Sequence, residues 1–169
     1  MDAYDAILTR RSIRQYTAQV VPDSLIKDLL AAAMNAPSAN NRQPWHFVVI
    51  QSRGTLNALT GVIPFGQMLA AAPLAIAVCA DTQRQQREGY WVQDCSAATQ
   101  NILLAAHAKG LGAVWLGVYP VKERLVGVKK LLNLPEQVTP LCVISIGYPA
   151  EAKPRVERYD EARVHHDTW

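Results

Sequence analysis

The chain has 169 residues, half of them apolar and 18% charged, with no low-complexity stretch; this excludes a disordered or fibrous chain and suits one domain over residues 1–169 with a substantial core. The formal net charge of +3 is too small by itself to mark a nucleic-acid binder. The opening MDAYDAILTRRS has acidic residues and no apolar signal core, and the apolar runs fall well short of the ~20 residues of a membrane span, so the expected setting is cytoplasmic and off the membrane.

In chain order, Ala3 to Leu8 reads as a short helix. Pro22-Asp23-Ser24 opens a stronger one, with Leu25, Ile26, Leu29, Leu30, Ala33 and Met34 at helical spacing and Pro37 as its stop. A loop, Pro37 to Gln43, leads into Trp45 to Ile50, an aromatic and β-branched run that reads as a buried strand. Thr55 to Leu59 reads as a helical turn, Pro73 to Ala80 as an apolar strand, and Asp81 to Gly89 as a polar loop. Trp91 to Lys109 has the clearest helical period, with Cys95, Ala98, Ile102, Ala105 and Ala106 on one face and Gly110 as its stop. Ala113 to Tyr119 follows as a strand, Lys122 to Leu132 as a helix and Leu141 to Ile146 as a strand. Gly147 to Trp169 is a tail with Pro149 and Pro154 and no helical period. Strands alternating with helices point, on periodicity alone, to a parallel sheet. A tail of this length needs something to pack on, and a partner subunit is the expectation.

Three segments carry candidate chemistry, and each reads two ways by itself. Arg10, Arg11 and Arg14 repel one another unless an anion sits among them, and a second basic cluster, Lys153, Arg155, Arg158 and Arg163, lies near the end. The pair of clusters reads either as two arms of one anion site, suited to the forked donors of arginine, or as two solvated basic segments. The loop APSANNRQPW is stiffened by Pro37 and Pro44 and rich in amide and hydroxyl groups. It suits either a heterocycle or an ordinary Asx-rich turn. Gly117, in or at the end of a strand, marks either a close approach of backbone to a ligand or a bulge.

Cys79, Cys95 and Cys142 are widely spaced without a CxxC or metal pattern, which reads as inert thiols in a reducing compartment. The histidines (His46, His107, His165 and His166) show no ligand spacing, so no metal and no protein catalytic residue is assigned. Asp94 reads as a carboxylate on a helix surface. Tyr90 and Trp91 either stack over a ligand or begin the helix that follows.

The ordered set RRSIRQY, APSANNRQPWHF, AAAPLAIAVCAD, KGLGAVWLG and VISIGYPAEAKPR resembles the nitroreductase-like flavoprotein family over nearly the whole chain. The first two motifs together are the specific ones. The resemblance implies an α+β fold with a mostly antiparallel central sheet flanked by helices, an extended C-terminal tail and an interlocked homodimer holding FMN at its interface. It implies FMN contacts from Arg10, Arg11, Ser12 and Arg14, and from Pro37, Ser38, Ala39 and Asn41 of the other subunit. Gln67 would meet the pyrimidine side, Trp115, Leu116 and Gly117 would pass the flavin near N5, and Arg155 and Arg158 would hold the phosphate, with Lys153 a competing candidate.

The implied activity is an FMN-dependent NAD(P)H oxidoreductase working by ping-pong transfer, in which NADH or NADPH reduces the flavin and a nitroaromatic, quinone or similar small-molecule acceptor reoxidises it. A flavin-storing or flavin-sensing protein, or other flavin redox chemistry such as dehalogenation, stands as the alternative, because fold does not choose among them. No nucleic-acid partner is expected, since no basic face interleaved with aromatics is visible.

Overall fold

A computed structural model describes all residues, 1–169. The helices are α1 (Ala3–Thr9), α2 (Asp23–Met34), α3 (Arg53–Val62), α4 (Tyr90–Ala108) and α5 (Lys122–Leu131). The strands are β1 (Trp45–Ile50), β2 (Leu74–Asp81), β3 (Gly112–Gly117) and β4 (Val138–Gly147). Asp2 caps α1 by accepting from the Asp5 N–H at 2.8 Å, and Gly110, at φ +76°, ends the α4 segment. No helix is long and apolar enough to cross a membrane.

The strands lie in the order β1-β2-β4-β3, and every neighbouring pair is antiparallel. This is the α+β architecture the resemblance implies, and it corrects the parallel sheet that helix–strand alternation suggests. The reason is visible between β1 and β2. Arg53, at the start of α3, donates to the carbonyls of Leu69, Ala70 and Ala72 at 3.0, 2.7 and 2.6 Å. The chain after α3 therefore doubles back to where α3 began, and β2 starts at the end of the sheet where β1 stopped. A crossover helix gives a parallel pair only when the chain stays at the far end.

Apolar side chains cover both faces of β2, and its Leu74–Ala80 stretch is wholly buried. Leu74, Ile76, Val78 and Ala80 pack with residues of α2 and α4, while Ala75, Ala77 and Cys79 pack with residues of α3 and α5. The period-2 alternation of a strand thus serves two cores at once. Cys79, Cys95 and Cys142 are all free and buried, and burial pushes the Cys79 and Cys142 thiols up to about 12.

Two elements are longer than their sequence signals. Gly54 and Gly61 dilute the helical period of α3, so only its centre is read from the pattern. β4 begins before Leu141 and includes Pro140, which sits opposite Cys79 where the β2–β4 register shifts. A bulge is the place where a central strand tolerates a proline.

Two irregular arms run along the β3 edge. Ser12 bridges in parallel to Ala113, and the Ile13 N–H donates to the Ala113 carbonyl at 3.1 Å. A Cβ on Gly112 would lie 2.6 Å from the Ile13 side chain, so this close approach requires glycine. The N-terminal arm then pairs with the start of the tail: Thr17 N–H donates to Tyr148 O at 2.9 Å and Ala150 N–H to Gln15 O at 2.9 Å. The buried Tyr16 hydroxyl fastens both to the sheet, within hydrogen-bond reach of the carbonyls of Ile13 at 2.7 Å and Ser145 at 3.1 Å. From Pro154 to Trp169 every residue is exposed.

Candidate functional site

The arm pairing brings the two basic clusters together. Arg10 follows α1, and its backbone N–H closes that helix on Ala6 O at 3.1 Å. The Arg11 guanidinium donates to the carbonyl of Pro154. A cavity of about 400 Å³ is lined by Arg10, Arg11, Arg155 and Arg158, with Tyr4 and Tyr159 among its walls. Arg155 is paired with Glu157 at 2.7 Å, but Arg10, Arg11 and Arg158 have no carboxylate partner. Burial, then the charges of Arg158 and Arg11, holds the Arg10 guanidinium below its ordinary pKa. Four guanidiniums, two of them half-buried, share the cavity with one carboxylate, Glu157, and the excess positive charge forms a site that an anion with several acceptor oxygens relieves; guanidinium forks suit phosphate.

Lys153 does not face this cavity. Its ammonium donates to Ser12 O at 2.7 Å and pairs with Glu151 at 3.3 Å. Glu151 also accepts the Arg14 backbone N–H at 2.6 Å, and that bond is the main reason its carboxyl sits below the usual range. These two residues lock the arm, while the Arg14 guanidinium stays exposed. Ser12 is half-buried against β3.

The β3 strand passes the other side of the arm. Trp115 is half-buried and Leu116 buried, and the β3–β4 register runs unbroken to Gly117, which removes the bulge reading. A Cβ on Gly117 would meet nothing within 4 Å, so the protein's own packing does not demand glycine there. The Gly117 carbonyl accepts from Arg124 at 3.0 Å, and the same guanidinium lies 5.2 Å from the ring centroid of the exposed Phe65. Gln67 is exposed two residues on, at the start of the 3-10 turn Gln67–Ala70 that Arg53 holds. The arginines Arg53 and Arg124 carried no motif in the sequence, because each acts by reaching backbone carbonyls distant in the chain.

The loop after α2 stands apart. Pro37, Ser38 and Ala39 line a second cavity, of about 340 Å³, with Tyr90, Gln93 and Asp94. The first cavity shares none of these residues. Ser38 Oγ accepts the Gln43 N–H at 3.0 Å, and Asn41 Oδ1 accepts from Gln43 Nε2 at 2.7 Å. Asp94 is 5% exposed, and its Oδ1 accepts the Ala39 N–H at 2.9 Å. This corrects its reading as a surface carboxylate: Asp94 stands three residues after Trp91 and four before Ala98, on the buried face of α4, and the loop after α2 packs against it there. Trp91 belongs to the core, edge-on to Tyr119 at 4.9 Å, while Tyr90 is exposed beside the loop.

His107 is within 2.8 Å of the Thr9 hydroxyl, and burial, then Arg10, holds its ring below the ordinary pKa. No cluster of His, Cys, Asp and Glu offers metal-ligand spacing.

The sequence model of the nitroreductase family matches residues 7–63 and 64–148. A Methanothermobacter thermautotrophicus protein provisionally named NADH dehydrogenase/NAD(P)H nitroreductase is 50% identical over 169 residues, spanning 100% of this chain and 88% of that protein. The solved structure of an FMN-dependent nitroreductase from Clostridium difficile superposes with a TM-score of 0.92 at 30% identity, covering 98% of this chain and 99% of that one. A Desulfovibrio desulfuricans protein provisionally named a nitroreductase, solved in complex with FMN, superposes at 0.86 with 32% identity, covering 100% and 98%.

Proposed function

Since this chain belongs to the nitroreductase family, we propose that it is an FMN-dependent NAD(P)H oxidoreductase, one domain over residues 1–169 acting as a homodimer. The observation that carries the reading is the cavity where Arg10, Arg11, Arg155 and Arg158 converge around a single carboxylate, Glu157, which pairs with Arg155 and leaves the other three without a partner. Its charge and its crowding fit a phosphomonoester. Arg10, Arg11, Arg155 and Arg158 would hold the FMN phosphate, with Ser12 and Arg14 toward the ribityl chain and pyrimidine edge and Gln67 on the pyrimidine side.

When bound, FMN supplies two-electron transfer from NADH or NADPH to a nitroaromatic, quinone or similar acceptor. The chain's own part is to bind and orient. A guanidinium near the pyrimidine edge stabilises the negative charge that gathers there on reduction. The backbone of Trp115, Leu116 and Gly117 would line the ring near N5, and the side-chain-free face of Gly117 leaves room for it. No protein acid or base is required, and donor and acceptor use the same place in turn. Pro37, Ser38, Ala39 and Asn41 would reach the flavin of the partner subunit. Their separation from the arginine cavity within one chain supports that division, as does the exposed stretch from Pro154 onward.

The test is an absorbance spectrum of purified protein with FMN, then NADH or NADPH, then a nitroaromatic. The expected sequence is a bound-flavin spectrum, bleaching by nucleotide, and recovery on adding the acceptor. Protein that stays colourless with FMN would falsify the reading, and bound flavin that nucleotide bleaches no faster than free FMN would favour storage or sensing instead.

A further inference from the structure

The loop between α2 and β1 holds a shape its residues do not adopt freely. Asn40, Asn41 and Gln43 have φ of 49°, 54° and 48°, in the left-handed region that carries a steric penalty for side chains. Internal bonds curl the loop: Asn41 N–H to Ser38 O at 2.9 Å, Arg42 N–H to Ala39 O at 3.1 Å, and Gln43 N–H to Ser38 Oγ at 3.0 Å. None of these fixes the loop to the sheet body. The bond that does so from within residues 37–41 is Ala39 N–H to Asp94 Oδ1, at 2.9 Å, across to the second turn of α4.

Asp94 is an expensive residue for that place. It is buried, and its second oxygen, Oδ2, has no hydrogen-bond partner. An apolar side chain would suit a purely structural site better, since buried polar atoms are normally satisfied. What a carboxylate adds is a strong acceptor for a backbone donor. The cavity beside it is lined by the same Pro37, Ser38 and Ala39 that the functional reading gives to the flavin.

We infer that Asp94 is a positioning residue for cofactor binding: through the Ala39 N–H it holds the Pro37–Asn41 loop in the shape that meets FMN. The inference rests on the proposed function. Asp94 touches no reacting atom in this account and acts only through the loop.

The experiment titrates apo wild type, Asp94→Ala, Asp94→Asn, Ala39→Pro and Asn41→Ala with FMN, following flavin fluorescence and visible circular dichroism. Far-UV dichroism checks folding. Asp94→Ala weakens FMN binding on the order of tenfold or more and alters the bound-flavin dichroism. Asp94→Asn keeps an acceptor in the same place and returns the affinity to within a few-fold of wild type. Ala39→Pro deletes the donor at the opening of a 3-10 turn and leaves α4 untouched, so wild-type affinity in that variant overturns the role even if Asp94→Ala does not fold. Asn41→Ala weakens binding as a direct loop contact. Asp94→Ala or Ala39→Pro protein that is folded and binds FMN with wild-type affinity and dichroism, while Asn41→Ala is weakened, overturns the role of Asp94 alone. Wild-type affinity in Asn41→Ala as well overturns the loop's contact with the flavin, and wild type that binds no FMN overturns the functional reading beneath both.

Discussion

The middle of the sheet and the paired arms at its β3 edge are held by opposite means. In β2, alternate side chains disappear into two cores, and Leu74 and Ile76 are 0% exposed. The arms bury Tyr16, half-bury Ile13 and Tyr148, and are further attached by polar bonds: Lys153 to Ser12, Glu151 to the Arg14 N–H, and Arg11 to Pro154. Burying a Leu or Ile side chain contributes about 1.5–3 kcal/mol, whereas a hydrogen bond nets about 1 kcal/mol. Stability is therefore concentrated in the sheet, and the proposed binding chemistry sits on the part that contributes least to it. Charge left unpaired for a ligand is charge withheld from the fold.

Substitutions that touch one region and spare the other test this contrast. Ile76→Ala carries the largest expected effect, a loss of about 2–5 kcal/mol in urea denaturation, because it opens a cavity between β2 and the α2–α4 layer. A loss below about 1 kcal/mol would mean that the core relaxes around the gap and that the contrast is overstated. Arg158→Ala is expected to do the reverse. Denaturation of the apo protein stays within about 0.5 kcal/mol, while FMN affinity falls by about 1.5–3 kcal/mol, read by fluorescence titration. Equal losses in both measurements would show that the cradle is structural.

Tyr16 joins the two regions and should show intermediate behaviour. Tyr16→Phe costs about 1 kcal/mol in the same denaturation assay by removing the hydroxyl's bonds to Ile13 and Ser145. Burial pushes the Tyr16 hydroxyl up to about 12. Because its folded pKa lies above the unfolded value, its stabilising effect is complete below the unfolded pKa and declines as the pH rises toward about 12. The wild type should therefore lose stability at alkaline pH more steeply than Tyr16→Phe does.

The smallest effect is at Glu151. Its carboxyl is held low chiefly by the Arg14 N–H, so the contribution of that bond to the arm pairing is present at neutral pH and is lost as the pH falls through the lowered folded-state value. The Arg14 amide resonance should follow this titration, and Glu151→Gln should abolish it. An Arg14 amide that titrates in the ordinary carboxylate range would mean that the bond does not form in solution.

Much of this molecule could be read from the residues. The apolar run ending in Cys79-Ala80 marks a strand, the period from Cys95 to Ala106 marks a helix, and Gly110 marks its end, whereas Trp45 to Ile50, which reads as a buried strand, lies at the sheet edge with His46 and Val49 exposed. The arginines near the two ends are legible as two basic clusters, open to reading as two arms of one anion site or as two solvated segments. Less could be read where a partner lies far along the chain. Asp94 has the residue type of a surface position although it shares a helix face with Trp91 and Ala98, and its acceptor role shows only once the loop from α2 lies against it. Lys153, Arg155 and Arg158 are interchangeable in sequence, and only the route of the tail past Ser12 and Arg10 turns the last two toward the cavity and the first away.

By itself, then, the sequence determined the local elements and the family to which the chain belongs, because periodicity and short motifs are properties of neighbouring residues. Only the tertiary structure decided the strand order β1-β2-β4-β3, the pairing of the two arms and the bond from Ala39 to Asp94. Each of these depends on a bond between groups remote in sequence — Arg53 to the carbonyls before β2, Gln15 to Ala150, Ala39 to Asp94 — and no local pattern encodes which distant donor will find which acceptor.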